Sequence, residues 1–306
     1  MSNQISQEEY GKILRRSTYI TLITVLFLIL IKAIAFWFTG SVVILSTLAD
    51  SFFDFVITAT NFFLVRISLR EETDEHRFGF GKYEALSAFI EAMFIFSVSI
   101  LILFLSAQRV ISPEAIPYTN IALTVMVVAI VVNFFLVRYQ SRIIKKTQSI
   151  SAHAEHTHYF QDLLTNSAVI VAIILVGNFN LTLADPLFAA AISIYMIYSS
   201  IAIFRKSISI LIDKEIDNEL KEEIKKIVLS HPKVDGFHDF KTRQSGSSQG
   251  KFFMQMHIEI NEHTSLNESH NIADQVEEKI LKEFPDAEVI LHVDPNNILE
   301  KRVWDD

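Results

Sequence analysis

Two short patterns, Leu48-Ala49-Asp50-Ser51-Phe52-Phe53-Asp54 and His158-Tyr159-Phe160-Gln161-Asp162, place metal-ligand side chains four residues apart on strongly apolar stretches. On a helix, residues four apart stand one above the other on one face, so each pattern presents a vertical pair of ligands. Three carboxylates and one imidazole are a donor set that tetrahedral Zn²⁺ accepts, and without sulfur the set stays open to Fe²⁺, Co²⁺, Cd²⁺ or Mn²⁺. An aspartate at the centre of a membrane helix costs roughly 2.5 to 3.5 kcal/mol, so three cost on the order of 8 to 10 kcal/mol unless a partner meets them. Neither pattern has a Lys or Arg in the apolar core of its own segment, which points to a bound cation or to protons. Metal must displace protons from such ligands, and that is a chemical basis for exchanging a divalent ion against H⁺.

The elements that must hold these pairs are membrane helices. Half of the 306 residues are hydrophobic and only 20% are charged, and nearly all long apolar runs fall before about residue 210. The chain is therefore expected to be a polytopic membrane protein with a transport domain over 1–210 and a charged globular domain over 211–306. The net charge of −8 comes largely from the second part, so no basic patch suggests nucleic acid. There is no cysteine, which excludes disulfides and thiolate metal sites and leaves His and carboxylate as ligands. Met1 to Glu9 is polar and acidic, unlike the basic start of a signal peptide.

Windows of about 20 residues place helices near 14–37, 42–67, 84–110, 119–141, 153–178 and 183–206. Arg15, Arg16, Arg66, Arg70, Arg77, Lys82, Arg138, Arg142, Lys145, Lys146, Arg205 and Lys206 all fall on one side, and almost only Arg109 falls on the other. The positive-inside rule then puts both termini and the loops 68–83 and 142–152 in the cytoplasm, with Gly40, Ser112-Pro113 and Gly177-Asn178 outside. Asp50 and Asp54 bracket the bilayer middle from the outer side, while His158 and Asp162 enter from the inner side, so the pairs can meet near the midplane. Asn61 and Asn166 continue the two polar stripes and suit interhelical hydrogen bonds. Glu91, deep in the third helix, could pair with Lys32, carry a proton or face a polar crevice. The group His153, Glu155 and His156 reads as a solvated helix end, with metal gathering as the rival role.

Beyond Leu211 the pattern changes to an amphipathic helix at 217–230, strands at 236–243 and 251–260 around the Ser245-Gly246-Ser247-Ser248 turn, a helix at 267–284 and a strand at 287–293. That order gives an α+β layer. His292 and Asp294, two apart on a strand, share a face and can chelate together. For His238, His257, His270 and His292 the residues alone leave metal binding and plain surface or packing roles equally open; His231 and His263 read as surface or packed residues.

With Gly40-Ser41-Val42 ahead of Asp50 and Asp54, Phe78-Gly79 with Gly81-Lys82, His158 with Asp162, Thr242-Arg243-Gln244-Ser245-Gly246 and Ala273-Asp274-Gln275-Val276-Glu277, the chain resembles the cation diffusion facilitator family from Tyr10 to about Pro295. The resemblance implies six membrane helices with a tetrahedral transport site on Asp50, Asp54, His158 and Asp162. It also implies a ferredoxin-like, or metallochaperone-like, cytoplasmic domain. That domain would carry a binuclear site at a homodimer interface, on His238, His257, His270, His292 and Asp294. The family's loop site is an Asp followed by two histidines; here Thr73 and Phe80 occupy two of those positions, leaving His76 with Asp74 nearby as candidate ligands. The expectation is a homodimeric metal/proton antiporter of the bacterial inner membrane, with Zn²⁺ first among its cargo and Fe²⁺, Cd²⁺, Co²⁺ or Mn²⁺ as others. Metal would also be its regulator. A membrane hydrolase is the rival class, but neither a His-Glu-x-x-His motif nor an activated nucleophile appears; a pure metal sensor is the other.

Overall fold

A computed structural model describes residues 6–40, 42–111, 120–179, 181, 183–246 and 251–296. The turns expected at Ser112-Pro113 and Ser247-Ser248 lie outside these residues. Two compact units divide the chain, one over Glu8–Ile208 and the other from Ser209 onward.

The first unit holds α1 (Gln7–Thr39), α2 (Val42–Ser68), α3 (Lys82–Ile111), α4 (Asn120–Thr147), α5 (Ile150–Phe179) and α6 (Ala184–Leu211). All six are long and apolar enough to cross a membrane, and the chain is a multi-pass membrane protein. Several helices run past their expected ends, α4 to Thr147 and α6 to Leu211. A hydropathy window stops at the first charges, but Arg and Lys are good helix formers and the backbone ladder continues through them. Lys145 and Lys146 in the last turn of α4 also complement its dipole. Gln148, at a φ of 53°, ends that helix and lets α5 begin at Ile150.

Each helix face follows its surroundings. On α1, Ile23, Phe27, Leu30 and Ile34 point outward at helical spacing, where lipid tails would cover them. Its inward face carries Ser17, Thr18, Thr21, Val25 and Leu28. Helix α3 turns Ala85, Ala88, Ala92 and Ser99 inward, small residues that let backbones approach where lipid removes any hydrophobic drive for association. Polar clasps add to this: the Tyr10 hydroxyl donates to Glu84 at 2.9 Å, joining α1 to α3.

The second unit is an α+β layer of α7 (Asn218–Leu229), β1 (Gly236–Gln244), β2 (Phe252–Ile260), α8 (Leu266–Glu283) and β3 (Glu288–Pro295). The sheet order is β1-β2-β3, with β1 antiparallel and β3 parallel to β2. Ser265 caps α8 by accepting the Glu268 amide at 3.3 Å, as the Ser-x-x-Glu spelling dictates. Along β2 the even-numbered Met254, Met256, Ile258 and Ile260 are buried with Ile224, Val228, Ile272, Val276 and Ile280. Period-two alternation sends Gln255, His257 and Glu259 to the opposite face. That face is where the histidines gather.

Candidate metal centres

Inside the helical unit, Asp54 of α2 and His158 and Asp162 of α5 each place one ligand atom within 4.8 Å of the others. His158 Nε2 lies 3.3 Å from Asp54 Oδ1 and 4.0 Å from Asp162 Oδ2. That nitrogen is buried and faces both carboxylates without a well-formed hydrogen bond to either. A divalent cation fits such a gap, since it would satisfy all three groups at once. The ring is held in place by aromatic neighbours, Phe94 at 5.9 Å and Tyr159 at 5.0 Å between ring centres. Tyr159 is pinned in turn by a 2.5 Å hydrogen bond with Thr58 of α2. Asp50 stands one turn from Asp54 on α2 but is exposed, and its carboxylate is not among the converging atoms.

Around this cluster the structure corrects several expectations. Glu155 is not a solvated helix end: it is 1% exposed and accepts hydrogen bonds from Asn61 at 3.0 Å, Thr21 at 3.2 Å and Gln140 at 3.1 Å. Three donors from three helices meet its charge, so the partners compensating this carboxylate lie far away in sequence. Among its former companions, His153 is exposed, and His156 pairs with Ser141 at 3.0 Å. Asn61 does bridge helices, donating to Glu155 and accepting from Ser87 at 2.7 Å. Asn166 does not; it bonds the Asp162 carbonyl of its own helix at 2.8 Å. Glu91 is buried with Oε2 lacking any hydrogen bond, and its electrostatic neighbours are Glu155 and His158. Lys32 is not its partner. The lysine donates to the Thr47 carbonyl at 3.1 Å and to Ser51 Oγ at 2.5 Å, and its charge acts on Asp54, Asp162 and Asp50.

On the open face of the sheet, strand register aligns His238, His257 and His292 in one row across β1, β2 and β3. Ring centres are 5.0 Å apart between His238 and His257 and 4.6 Å between His257 and His292. Asp294 serves all three: Oδ2 is 2.7 Å from His257 Nδ1 and 3.2 Å from His238 Nε2, and Oδ1 is 3.1 Å from His292 Nε2. His238, His257 and Asp294 form a metal-capable group, and His238 Nε2 is a buried nitrogen with no hydrogen bond. An orphaned imidazole nitrogen beside a carboxylate fits a bound metal here as well. Burial pushes the Asp294 carboxyl up, but its hydrogen bond to His257 and the charges of His292, His257 and His238 outweigh that and hold it below its ordinary value.

Two acidic neighbours of this row went unread in the sequence. Glu259 Oε1 is 2.9 Å from His238 Nδ1; it lies two residues from His257 on β2, so period-two spacing was signal enough. Asp239 reaches 3.8 Å from His257 Nε2. Strict alternation would turn it away from its neighbour His238, but the register shifts between His238 and Lys241 and Asp239 takes a φ of 47°. Such a bulge re-aims a side chain and leaves no sequence signal as plain as spacing. His270 is exposed on α8 and pairs with Asp274 at 3.5 Å, away from the row within this chain. His76 packs against Phe80 in a tilted pair, 4.6 Å between ring centres, and Asp74 pairs with Arg77 at 2.9 Å. Neither joins a metal-capable group among the described residues.

Comparison with known proteins extends over almost the whole length. Residues 17–212 match the model of the cation efflux transmembrane domain, and residues 216–296 match that of the cation efflux protein cytoplasmic domain. The chain is 38% identical over 295 residues to the cation-efflux pump FieF of Citrobacter koseri, covering 96% of this chain and 97% of that protein. It is likewise 38% identical over 293 residues to FieF of Klebsiella pneumoniae, covering 95% and 96%. Among solved structures, the metal-bound C-terminal domain of the CzcD transporter from Thermotoga maritima aligns at 22% identity, covering 28% of this chain and all of that one, with a TM-score of 0.25.

Proposed function

As the chain belongs to the cation efflux, or cation diffusion facilitator, family, we propose that it exports divalent metal from the cytoplasm in exchange for protons. The observation that carries this reading is the meeting of Asp54, His158 and Asp162 on two helices of membrane-spanning length, with a buried imidazole nitrogen that makes no well-formed hydrogen bond. A carboxylate-imidazole cage inside a bilayer is costly unless it holds a cation or protons, and the two compete for the same lone pairs. Metal arriving from the cytoplasm displaces protons from these ligands. When the helices rock open to the other side, incoming protons displace the metal. Asp50, one turn along α2, is the fourth ligand, which a side-chain rotation would bring in when metal is present. Zn²⁺ suits this set best, with Fe²⁺, Cd²⁺, Co²⁺ and Mn²⁺ as further cargo.

Both termini lie in the cytoplasm of a bacterial inner membrane, and the working form is a homodimer. The sheet cluster acts as its regulator: metal on His238, His257, His292 and Asp294, with His270 meeting ligands of a second copy, draws two protomers together and biases the helices. The test is purified protein in vesicles with a pH step, assayed separately with Zn²⁺, Fe²⁺, Mn²⁺ and Cd²⁺. Metal accumulation driven by the proton gradient, with matching proton counterflow, is the expected result. Metal binding without flux would reduce the protein to a sensor.

A further inference from the structure

Lys32 brings to the intramembrane cluster a charge whose sign is wrong for holding a metal. It lies on α1 a short way before that helix ends at Thr39, toward the α1–α2 connection at Gly40. Its ammonium is held by two groups of α2, the Thr47 carbonyl at 3.1 Å and Ser51 Oγ at 2.5 Å. Ser51 stands between Asp50 and Asp54 in the chain and is itself buried. The lysine therefore does not dock on a carboxylate; it is moored to neutral oxygens, from which its charge acts on Asp54, Asp162 and Asp50 together. Glu91 and Glu155 approach the cluster from the opposite end of the bundle, the end where α3 and α5 begin, and His158 is the charge neighbour they share. Acids thus lead toward the ligands from one end, and an ammonium faces them from the other.

The energetics of that arrangement change sign with occupancy. With the cage empty, a positive charge nearby offsets carboxylates that the bilayer would otherwise leave uncompensated. With a divalent cation in the cage, the same ammonium repels it, and in a medium of low dielectric that repulsion reaches across several ångströms. A carrier gains nothing from the deepest possible well, because every turnover must climb out of it. We propose that Lys32 is a tethered counter-cation of the transport site: from its mooring on Thr47 and Ser51 it stabilises the emptied cage, weakens metal binding and speeds metal release.

This inference rests on the transport-site reading, and the experiment separates the two. Full-length protein carrying His257→Ala and Asp294→Ala, to silence the sheet cluster, is titrated with Zn²⁺ in detergent and assayed for efflux in vesicles. Lys32→Gln keeps a neutral donor for Thr47 and Ser51, Lys32→Met removes both donor and charge, and Lys32→Arg keeps the charge. Lys32→Gln and Lys32→Met are expected to bind Zn²⁺ about tenfold more tightly and to turn over more slowly at saturating metal, with KM and kcat falling together. Lys32→Arg is expected to resemble the parent. If Lys32→Gln matches the parent in affinity and turnover while Lys32→Met is impaired, the lysine is only a clamp between α1 and α2 and the proposal fails. If Asp54→Ala in the same background binds Zn²⁺ as the parent does, the site assignment itself is wrong, and Lys32 falls with it.

Discussion

The intramembrane cluster and the sheet cluster use the same chemistry on opposite scaffolds. In the bundle, His158 and Asp162 are brought together by the helical repeat, and Asp54 by packing of α2 near α5. In the sheet, His238, His257 and His292 are brought together by strand register, with Asp294 behind them. A helix fixes a pair of side chains locally and leaves the meeting with its partner to tertiary packing. A sheet fixes neighbours through the hydrogen-bond ladder, which holds its row rigid. On the proposed function, the first design suits a site that must load and empty, the second a site that must register occupancy.

Removing a ligand from the bundle cluster gives the largest expected effect. Asp54→Ala or Asp162→Ala should bring metal flux in vesicles to background while the protein stays folded, because each takes away a proposed ligand and a costly charge within the membrane-spanning helices together. Thermal unfolding should hold steady or rise. Wild-type flux in either variant would break the comparison at its root.

Changing a ligand is gentler than deleting one. His158→Asp replaces the borderline-soft nitrogen with a hard oxygen, so relative flux should move from Zn²⁺ toward Mn²⁺ or Cd²⁺, which accept more oxygen-rich shells. Relative rates unchanged across the metals would mean that this imidazole never touches the cargo.

For the sheet cluster the expected effect is on stability. The fragment from residue 211 onward should gain about 2.7 kcal/mol per site in Zn²⁺ at a hundred times its dissociation constant, seen as a higher melting temperature. His257→Ala with Asp294→Ala should abolish that gain, and in the full-length protein should slow transport without removing metal from the bundle site. A fragment whose melting ignores Zn²⁺ at neutral pH would reduce the row to surface histidines.

The smallest effect concerns acid. The folded state holds the Asp294 carboxyl below its ordinary 3.8. Such a group adds stability that is fully present above the unfolded value and is lost as pH falls through the folded one. Metal-free fragment carrying Asp294→Asn should therefore lose less stability than wild type on acidification below about pH 4. Identical acid limbs in chemical denaturation would show that the histidine row does not act on this carboxylate.

The sequence by itself determined what depends on local periodicity. Runs of apolar residues placed six helices, period-two strands placed the α+β layer, and the four-residue spacing of His158 and Asp162 placed both ligands on one helix face. The spacing of His292 and Asp294 likewise placed both on one strand face, where they lie 3.1 Å apart. These are properties of neighbouring residues, which the backbone geometry fixes before anything packs.

Only the tertiary structure decided what depends on partners distant in the chain. Glu155 reads as an exposed helix end because its compensating donors, Thr21, Asn61 and Gln140, come from three other helices. The sequence leaves a Lys32–Glu91 pair open as one of three roles for Glu91, because nothing local reveals the Thr47 carbonyl that holds the lysine. Asp239 joins the histidine row only because a bulge shifts the register of β1. A buried charge is tolerated through whichever groups packing brings to it. That choice is made among residues tens of positions away, so no local spacing encodes it.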